Sequence, residues 1–427
     1  MSVIGLGYIG LPTAAMFASR DMKVIGVDTR QETVDCVNRG EIHIEEPGLG
    51  DAVKSTVALG FLRATSEPEP ADAFLIAVPT PFRAGDRSPD LSYVEAACQS
   101  IARVLEPGNL VVLESTSPVG ASEAVARWMA EERPDLVFPG AHGMAPDIHV
   151  AHCPERVLPG RAIFEIVHND RVIGGITPGC AERAVELYET IVEGRCFKTD
   201  ARTAELAKLA ENSFRDVNIA FANELSMICD RLDIDVRELI GLSNRHPRVN
   251  ILQPGPGVGG HCIAVDPWFI VSSAPEEARI IRTAREVNDS KPDWVIQQVT
   301  ETATDISGRI GRPPRVACFG LTFKPDIDDL RESPALNIAR QLAGQGDMDI
   351  LAVDPHVSAL PSDLGRHASL VGSEEGLANA DIILLLVAHQ EFSTLDFNLS
   401  VPVIDTCGLT HGKRATPNVR ARSPFPV

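Results

Sequence analysis

The residues best suited to covalent chemistry lie at the end of a glycine- and proline-rich loop. Cys262 follows the run from Pro254 to Gly260, which holds four glycines and two prolines, and Asp266 comes four residues after the cysteine. Prolines fix φ and glycines allow the backbone to approach a ligand closely, so the run is typical of a shaped loop. A thiolate adds readily to carbonyl carbon, which makes Cys262 a candidate nucleophile. An ordinary turn followed by a buried structural cysteine fits the same pattern.

A second polar group lies on a predicted long helix, roughly residues 201–232. Lys208, Asn212 and Arg215 are spaced i, i+4 and i+7, so they share one helix face. Lys208 could supply a point charge or a proton, and Arg215 could hold an anion through two hydrogen bonds. A solvated polar face is the alternative. A helix of this length is typical of a domain connection or a subunit interface.

The chain begins with the pattern that positions a dinucleotide. A short apolar strand runs into G-x-G-x-x-G at Gly5, Gly7 and Gly10, a helix follows, and the next strand ends at Asp28. The first glycine makes the turn, the second admits the pyrophosphate, and the third lets helix and strand pack. Asp28 should accept hydrogen bonds from the adenosine ribose and repel a 2′-phosphate, which favours NAD over NADP, although Arg30 tempers that preference. A glycine-rich turn without a ligand is the alternative.

Two further predicted strands, residues 73–78 and 110–113, carry hydroxyl groups just beyond their carboxyl ends. Thr80 and Thr116 are therefore candidate cofactor contacts, because open parallel sheets bind ligands at that edge. Alternatively these residues only make turns and helix caps, with Thr116 or Ser117 capping a helix that starts near Pro118.

An α/β pattern starts again after a linker at residues 311–314. Two helices precede this linker, and Pro292 is expected to break or kink the helical run between them. Ser333 is expected to cap a helix that begins at Pro334. The first turn of this second pattern lacks G-x-G-x-x-G and is charged; its Lys324 and Arg331 reach anionic ligands or pair with the aspartates of the same loop.

Composition excludes several classes of partner. The net charge of −20 over 427 residues leaves no basic face for nucleic acid or an anionic membrane, and no apolar run approaches the length of a membrane helix. Nine scattered cysteines without a C-x-x-C pair indicate a reducing, cytoplasmic setting. No metal site is expected, because no known ligand spacing occurs among the four candidate donors His142, His149, His152 and Cys153.

These features together resemble, over nearly the whole chain, the UDP-glucose/GDP-mannose dehydrogenase family, and look closest to its bacterial members that act on UDP-N-acetyl-D-mannosamine. The resemblance rests on six stretches: Gly5 to Gly10, Glu114 to Gly120, Cys153 to Gly160, Lys208 to Glu224, Arg245 to Asn250 leading into the Cys262 loop, and Phe323 to Pro334. It implies four-electron oxidation of a sugar C6 hydroxyl to a carboxylate, with two NAD consumed and a thiohemiacetal and thioester formed on Cys262.

Matching motifs also imply roles for individual residues. The catalytic group would be Cys262, Lys208, Asn212, Asp266, Glu155 and Thr116. The NAD contacts would be Gly5, Gly7, Tyr8, Ile9, Gly10, Asp28, Thr80, Thr116 and Arg331. The UDP-sugar contacts would be Arg156, Val157, Lys208, Asn212, Arg215, His246, Arg248, Gly259, Phe323 and Lys324.

The resemblance implies two Rossmann-like, doubly wound parallel-sheet domains joined by a long central helix and a helical middle domain. The expected domains are 1–198 for NAD, 199–308 for dimerisation and the catalytic loop, and 309–427 for the UDP-sugar, in a homodimer built on the central helix. One departure stands out, since Cys407 occupies a position where family members commonly carry Lys or Arg. UDP-N-acetylglucosamine or UDP-glucose as substrate, a dehydrogenase that stops at the aldehyde, and a non-catalytic nucleotide-sugar sensor remain alternatives.

Overall fold

The computed structural model describes residues 1–83, 85–140, 145–158, 160–260, 262–365, 368–397 and 400–410. His142 therefore lies outside the described residues. The chain divides into two compact units, the first formed by residues 1–212 and 265–278 and the second by residues 213–264 and 279–427.

The first unit is built on an eight-stranded sheet. Its strands are β1 (Ser2–Ile4), β2 (Val24–Val27), β3 (Leu62–Thr65), β4 (Ala73–Ile76), β5 (Leu110–Leu113), β6 (His149–His152), β7 (Arg171–Gly175) and β8 (Cys196–Asp200). They are ordered β3-β2-β1-β4-β5-β6-β7-β8, and every pair is parallel except β6 with β7. The chain thus leaves β1 in one direction and returns to its other side at β4, which creates a crevice at the carboxyl ends of those two strands.

Helices cover both faces of this sheet. They are α1 (Gly10–Ala18), α2 (Gln31–Asn38), α3 (Leu49–Ala58), α4 (Ser92–Ala102), α5 (Ala121–Glu132), α6 (Ala162–His168) and α7 (Pro178–Tyr188). Alternate residues of a strand point to opposite faces. Accordingly Leu75 packs in the core beneath α1 and α3, whereas Phe74 and Ile76 pack in the core beneath α4 and α5. Burial of both faces explains why the central strands are continuous apolar runs.

The second unit contains a five-stranded, wholly parallel sheet. Its strands are β9 (Arg315–Phe319), β10 (Asp349–Val353), β11 (Ala368–Leu370), β12 (Ile382–Leu385) and β13 (Val403–Asp405), in the order β11-β10-β9-β12-β13. Helices α12 (Pro334–Gln345) and α13 (Ser373–Asn379) and a 3₁₀-helix (Gln390–Thr394) accompany it. The predicted cap is confirmed, because the Ser333 hydroxyl accepts a hydrogen bond from the Leu336 N–H at 3.2 Å.

Four more helices occur in the described part of the chain. They are α8 (Ala201–Leu232), whose residues divide between the two units, α9 (Val236–Ser243), α10 (Asp266–Ser273) and α11 (Arg279–Ile310). Of the predicted break or kink at Pro292, the break is wrong, since α11 runs through that proline. The residues on either side, including Lys291, Val295 and Val299, are buried. Their packing outweighs the cost of about 3 kcal/mol that an interior proline imposes.

The predicted class is confirmed: the fold is α/β with two parallel-sheet Rossmann-like units and a long helix. Within the described part of the chain, no helix is both long and apolar enough to cross a membrane.

Candidate active site

The three fingerprint glycines meet three different steric demands in the first unit. A Cβ on Gly5 would lie 2.6 Å from the Ala77 carbonyl oxygen, and one on Gly10 would overlap the Gly5 carbonyl oxygen. A Cβ on Gly7 would meet no atom of the described residues within 4 Å. Gly5 and Gly10 are therefore required by packing, whereas the space at Gly7 fits the approach of a diphosphate to the start of α1.

Asp28 lies at the end of β2 and orders the glycine loop. One carboxylate oxygen, Oδ2, accepts the Leu6 N–H at 3.1 Å, and the other, Oδ1, accepts the Arg30 N–H at 2.9 Å. The Arg30 Nε atom is 3.6 Å from Oδ1, and the arginine side chain is largely exposed. The carboxylate is thus fixed as an acceptor at the position where the fingerprint places the adenosine ribose.

The segments after β4 and β5 are tied together. The Thr80 hydroxyl donates to the Thr116 carbonyl oxygen at 2.6 Å, and the Ser115 hydroxyl donates to the Val78 carbonyl oxygen at 2.7 Å. The alternative that Thr116 or Ser117 caps α5 is wrong, because Gly120 is the N-cap residue and makes no side-chain cap. Glu205 of α8 accepts the N–H groups of Gly120 and Ser122 at 2.7 and 2.8 Å instead.

Glu155 belongs to a buried charged cluster in the first unit. Its Oε2 lies 3.1 Å from Nη1 of the buried Arg171, and its Oε1 accepts the Arg156 N–H at 2.6 Å. Burial, followed by the negative charge of Glu155, raises the pKa of Glu114 to about 7. The Tyr188 hydroxyl donates to Glu114 at 2.5 Å. Glu155 is therefore held rigidly, with one cation and one second acid beside it.

The predicted substrate contact Arg156 is paired within the chain. Its guanidinium lies 2.6 Å from a carboxylate oxygen of Glu211 on α8 and donates to the Asp170 carbonyl oxygen at 3.3 Å. Val157 packs, partly buried, against the core of the first unit.

The most distinctive polar contact in the first unit joins α8 to the start of α10. Nδ2 of Asn212 donates to Oδ2 of Asp266 at 2.5 Å. Asp266 is 3% exposed, and burial raises its pKa to about 7, against the lowering effects of the Asn212 hydrogen bond and the Lys208 charge. Leu209 and Phe269 pack together beside this contact. Three of the predicted catalytic residues are thus brought together, and the acid can exchange a proton near neutral pH.

Cys262 is exposed in the second unit, so it is not the buried structural cysteine of the alternative interpretation. Three of the glycines before it, Gly257, Gly259 and Gly260, lie close against protein atoms. A Cβ on Gly259 would overlap the Glu332 carbonyl oxygen and lie 2.7 Å from Pro334, and Gly260, with φ of +81°, lies against the Phe323 ring. The expectation that these glycines admit the UDP-sugar is therefore incomplete, because they also let the cysteine loop pack against the charged turn after β9.

A buried polar network anchors the same loop. The Gly255 N–H donates to Oδ1 of Asn223 at 2.9 Å, and Nδ2 of Asn223 donates to Asn288 at 2.8 Å. Asn288 in turn donates to Asp216 at 2.8 Å, and Arg285 pairs with Asp216 at 2.6 Å. The loop is therefore fixed to α8 and α11 by fully buried groups.

The two basic residues of the charged turn after β9, Lys324 and Arg331, have different surroundings. Arg331 pairs with Asp329 of the same loop at 2.6 Å, as one of the two sequence interpretations held. Lys324 lies with its Nζ 5.8 Å from the centre of the Phe323 ring and makes no ion pair among the described residues. Arg215, His246 and Arg248 are exposed on the second unit.

Although residue 407 is a cysteine, the guanidinium of Arg237 lies close to it. Nη2 of Arg237 donates to the Thr406 carbonyl oxygen at 3.1 Å, and its guanidinium lies so close to Gly408 that a Cβ there would overlap it. Burial raises the pKa of the Cys407 thiol, which is therefore neutral.

Sequence patterns missed several residues that support these groups. They are Glu114, Arg171, Tyr188, Glu205 and Asn223. Glu114 could have been predicted as a site residue, because it is an acid directly after an apolar strand. The others act through partners that are distant in sequence.

A dinucleotide fingerprint with its acid, a buried carboxyl group beside a lysine and a second α/β unit are typical of an NAD-dependent oxidoreductase. Residues 1–192, 202–290 and 317–411 match the NAD binding, central and UDP binding domains of the UDP-glucose/GDP-mannose dehydrogenase family. The chain belongs to this family and is an NAD-dependent nucleotide-sugar dehydrogenase.

Relatives and solved structures agree with this assignment. The chain is 60% identical over 416 residues to the NDP-N-acetyl-D-galactosaminuronic acid dehydrogenase of Ralstonia nicotianae, covering 97% of both chains. It is 60% identical over 392 residues to the UDP-N-acetyl-D-mannosamine dehydrogenase of Campylobacter jejuni, covering 91% of this chain and 95% of the other. The structure of the Staphylococcus aureus UDP-N-acetyl-mannosamine dehydrogenase superposes with a TM-score of 0.82 at 43% identity, over 96% of this chain and 94% of the other.

Proposed function

We propose that this enzyme oxidises the C6 hydroxyl of UDP-N-acetyl-D-mannosamine to the carboxylate, giving UDP-N-acetyl-D-mannosaminuronate. The observation that carries the chemistry is the Lys208–Asn212–Asp266 group, whose Asp266 comes four residues after the exposed Cys262 in the chain. The substrate rests on the similarity to the Campylobacter enzyme of that name.

The reaction removes four electrons in two hydride transfers. NAD, when bound, would supply the hydride acceptor for C6 in both rounds. Between the rounds the Cys262 thiolate adds to the C6 aldehyde, forming a C–S bond and an oxyanion. After the second transfer the resulting thioester is cleaved by water, which releases the carboxylate and returns the proton to the thiol.

Lys208 and Asn212 are the proposed oxyanion stabilisers. Negative charge grows on the C6 oxygen as sulfur adds, and an ammonium and an amide N–H stabilise it more than they stabilise the aldehyde. Asp266, with a pKa near the operating pH, is the proposed proton carrier for the hydrolytic water. Thr116 and the rigidly held Glu155 are proposed to contact that water.

The nucleotide-sugar is proposed to be held by a small set of side chains and one glycine. They are Arg156, Val157, Lys208, Asn212, Arg215, His246, Arg248, Gly259, Phe323 and Lys324. Tyr8, Ile9, Thr80 and Arg331 are proposed to contact NAD beside the glycine loop and Asp28. The UDP-binding domain match over 317–411 supports placing Phe323 and Lys324 against the nucleotide. The proposed domains are 1–198, 199–308 and 309–427.

We further propose a cytoplasmic homodimer built on α8. Several large apolar side chains of that helix are exposed in the single chain: Leu206, Phe214, Phe221, Ile228 and Leu232, with Phe214 at 73%. Burying them against a second α8 would remove an apolar surface that a monomer rarely exposes.

UDP-N-acetylgalactosamine, whose sugar differs from N-acetylmannosamine at C2 and C4, is a second candidate substrate, because the Ralstonia relative is named for N-acetyl-D-galactosaminuronic acid. Assaying NADH release with UDP-N-acetylmannosamine, UDP-N-acetylgalactosamine, UDP-N-acetylglucosamine and UDP-glucose separates these possibilities. The proposal expects the largest kcat/KM with the first sugar. A larger value with any other sugar reassigns the substrate, and no NADH with any of them would favour a non-catalytic sensor.

A further inference from the structure

A cluster of metal-ligating side chains lies in the second unit, and one member, Asp326, belongs to the charged turn after β9 that also carries Lys324. Asp326, His356, His389 and Glu391 each direct one donor atom into a common space, and all four atoms lie within 4.8 Å of one another. We propose that these residues form a binding site for a borderline divalent transition metal, with Zn²⁺ as the best fit. Two imidazole nitrogens and two carboxylate oxygens are a donor set that this class of ion prefers, and two carboxylates neutralise its charge.

The cluster lies at the carboxyl ends of adjacent strands, where open parallel sheets commonly bind ligands. Asp326 follows β9, His356 follows β10, and His389 and Glu391 follow β12. These are three adjacent strands, and the chain reverses its strand order between β9 and β12. In open parallel sheets, ligands bind outside the carboxyl ends of strands at this reversal.

His389 is prepared as a metal ligand by its second ring nitrogen. The ring is fully buried, and its Nε2 lies 3.2 Å from Oδ2 of Asp354. A carboxylate partner on one nitrogen fixes the tautomer and leaves a lone pair on the other, as is usual for metal-bound histidine. The Nδ1 lone pair accepts the Asp326 N–H at 3.0 Å, so metal binding would exchange that hydrogen bond for a coordination bond.

The remaining contacts are too long for hydrogen bonds but close to ligand spacing. Nε2 of His356 is shielded from solvent and makes no hydrogen bond to any described group; it lies 3.5 Å from Oε1 of Glu391. Nδ1 of His389 lies 3.8 Å from Oδ1 of Asp326. Ligand atoms around tetrahedral zinc are separated by about 3.3 Å, as follows from zinc–ligand distances near 2.0–2.1 Å. Asp326 and Glu391 are exposed and can make the small contraction required.

Binding of zinc to the full-length, tag-free enzyme tests the site. Chelator-treated protein is equilibrated by dialysis against zinc chloride, and bound zinc is measured by atomic emission. The Cys262→Ser chain is measured in parallel, because an exposed thiol also binds zinc. We expect one zinc per chain in both proteins, and a visible ligand-field absorption when cobalt replaces zinc.

Variants of the partly exposed ligands complete the test. In the Cys262→Ser background, His356→Asn and Glu391→Gln should each lower zinc affinity at least 10-fold, whereas His168→Asn should not. His168 is a matched control, since its Nε2 lies 3.5 Å from Glu193 and the described part of the chain forms no metal-ligating group there. Circular dichroism and NAD binding verify that each variant is folded. Equal zinc retention by folded His356→Asn and the parent, or no retention by the parent, would overturn the proposal.

Discussion

Nδ2 of Asn212 donates a hydrogen bond of 2.5 Å to Oδ2 of Asp266, across 54 residues of sequence. Asp266 is buried at the first turn of α10, and Asn212 lies one helical turn after Lys208 on α8. Burial favours the neutral acid, whereas the amide and the ammonium favour the carboxylate, and the resulting pKa is about 7. This balance makes Asp266 able to gain and lose a proton at neutral pH.

The balance predicts how activity responds to pH. If Asp266 acts as the carboxylate, kcat rises as pH increases through about 7. Asn212→Ala removes a hydrogen bond that lowers the pKa, so the rising limb should move to higher pH. Asp266→Asn should remove this limb and lower kcat by roughly 10²–10⁴-fold. A limb that stays in place in Asn212→Ala, measured in folded enzyme at saturating substrate, would contradict the assignment.

Alanine at two fingerprint glycines should have opposite consequences. Gly10→Ala forces a Cβ into the Gly5 carbonyl oxygen, so the expected result is a poorly folded first unit. Gly7→Ala meets no described protein atom within 4 Å, so the melting temperature should be nearly unchanged. NAD binding should nevertheless weaken at least 10-fold, on the order of 1.4 kcal/mol, because the methyl group occupies the diphosphate space. Titration calorimetry and thermal melting measure both effects. Unchanged NAD affinity in Gly7→Ala would show that the diphosphate lies elsewhere.

The cysteine loop should depend on its anchor on α8. Asn223→Ala leaves the Gly255 N–H without its acceptor and breaks the link to Asn288, at a cost of about 1–3 kcal/mol of folding free energy. We expect kcat to fall while the Kd for NAD stays constant, since the glycine fingerprint belongs to the other unit. Asn218→Ala is the control, because among the described residues that side chain bonds only the local Phe214 carbonyl oxygen. If the two variants behave alike, the anchor is unimportant.

Lys291 makes stability depend on pH. Burial lowers its pKa from 10.5 to about 7, although its ammonium donates to Ser226 and lies 3.7 Å from the centre of the Trp294 ring. Between pH 7 and 10.5 the unfolded chain binds more protons at this residue than the folded chain, so its contribution to folding stability rises with pH.

Lys291→Met should flatten this dependence. The free energy of unfolding of the variant, measured relative to that of the native enzyme, should be highest near pH 7. This difference should fall by about 1–4 kcal/mol between pH 7 and pH 10, because only the native enzyme gains stability from Lys291 over that range. Denaturant unfolding at several pH values measures the difference, with the exposed Lys54→Met as control. An identical pH slope in native enzyme and Lys291→Met would refute the lowered pKa.

Local patterns predicted the elements that local physics determines. The G-x-G-x-x-G turn, the extent of α8 and the Ser333–Pro334 helix start follow from steric freedom, apolar periodicity and capping. Pro292 was expected to break or kink a helical run, but α11 continues through it, with buried residues packed on both sides. Local sequence preference determines the secondary structure only where competing long-range contacts are weak.

The supporting groups of the site depend on distant partners. Glu205 caps a helix that begins more than 80 residues earlier, and Asn223 accepts a hydrogen bond from a loop 32 residues later. The close approach of Gly259 to Glu332 likewise requires the folded second unit. Such pairings leave no periodic trace in a single sequence, so the sequence could indicate candidate reacting residues but not the groups that support them.

The number of NADH formed per sugar tests the central claim most directly. Limiting UDP-N-acetyl-D-mannosamine is consumed to completion with excess NAD, and NADH and the sugar product are quantified together. We predict two NADH and one carboxylate per sugar in the native enzyme. The Cys262→Ser enzyme should release carboxylate more slowly than the native enzyme. One NADH per sugar with an aldehyde product, or undiminished acid formation by Cys262→Ser, would contradict the central claim.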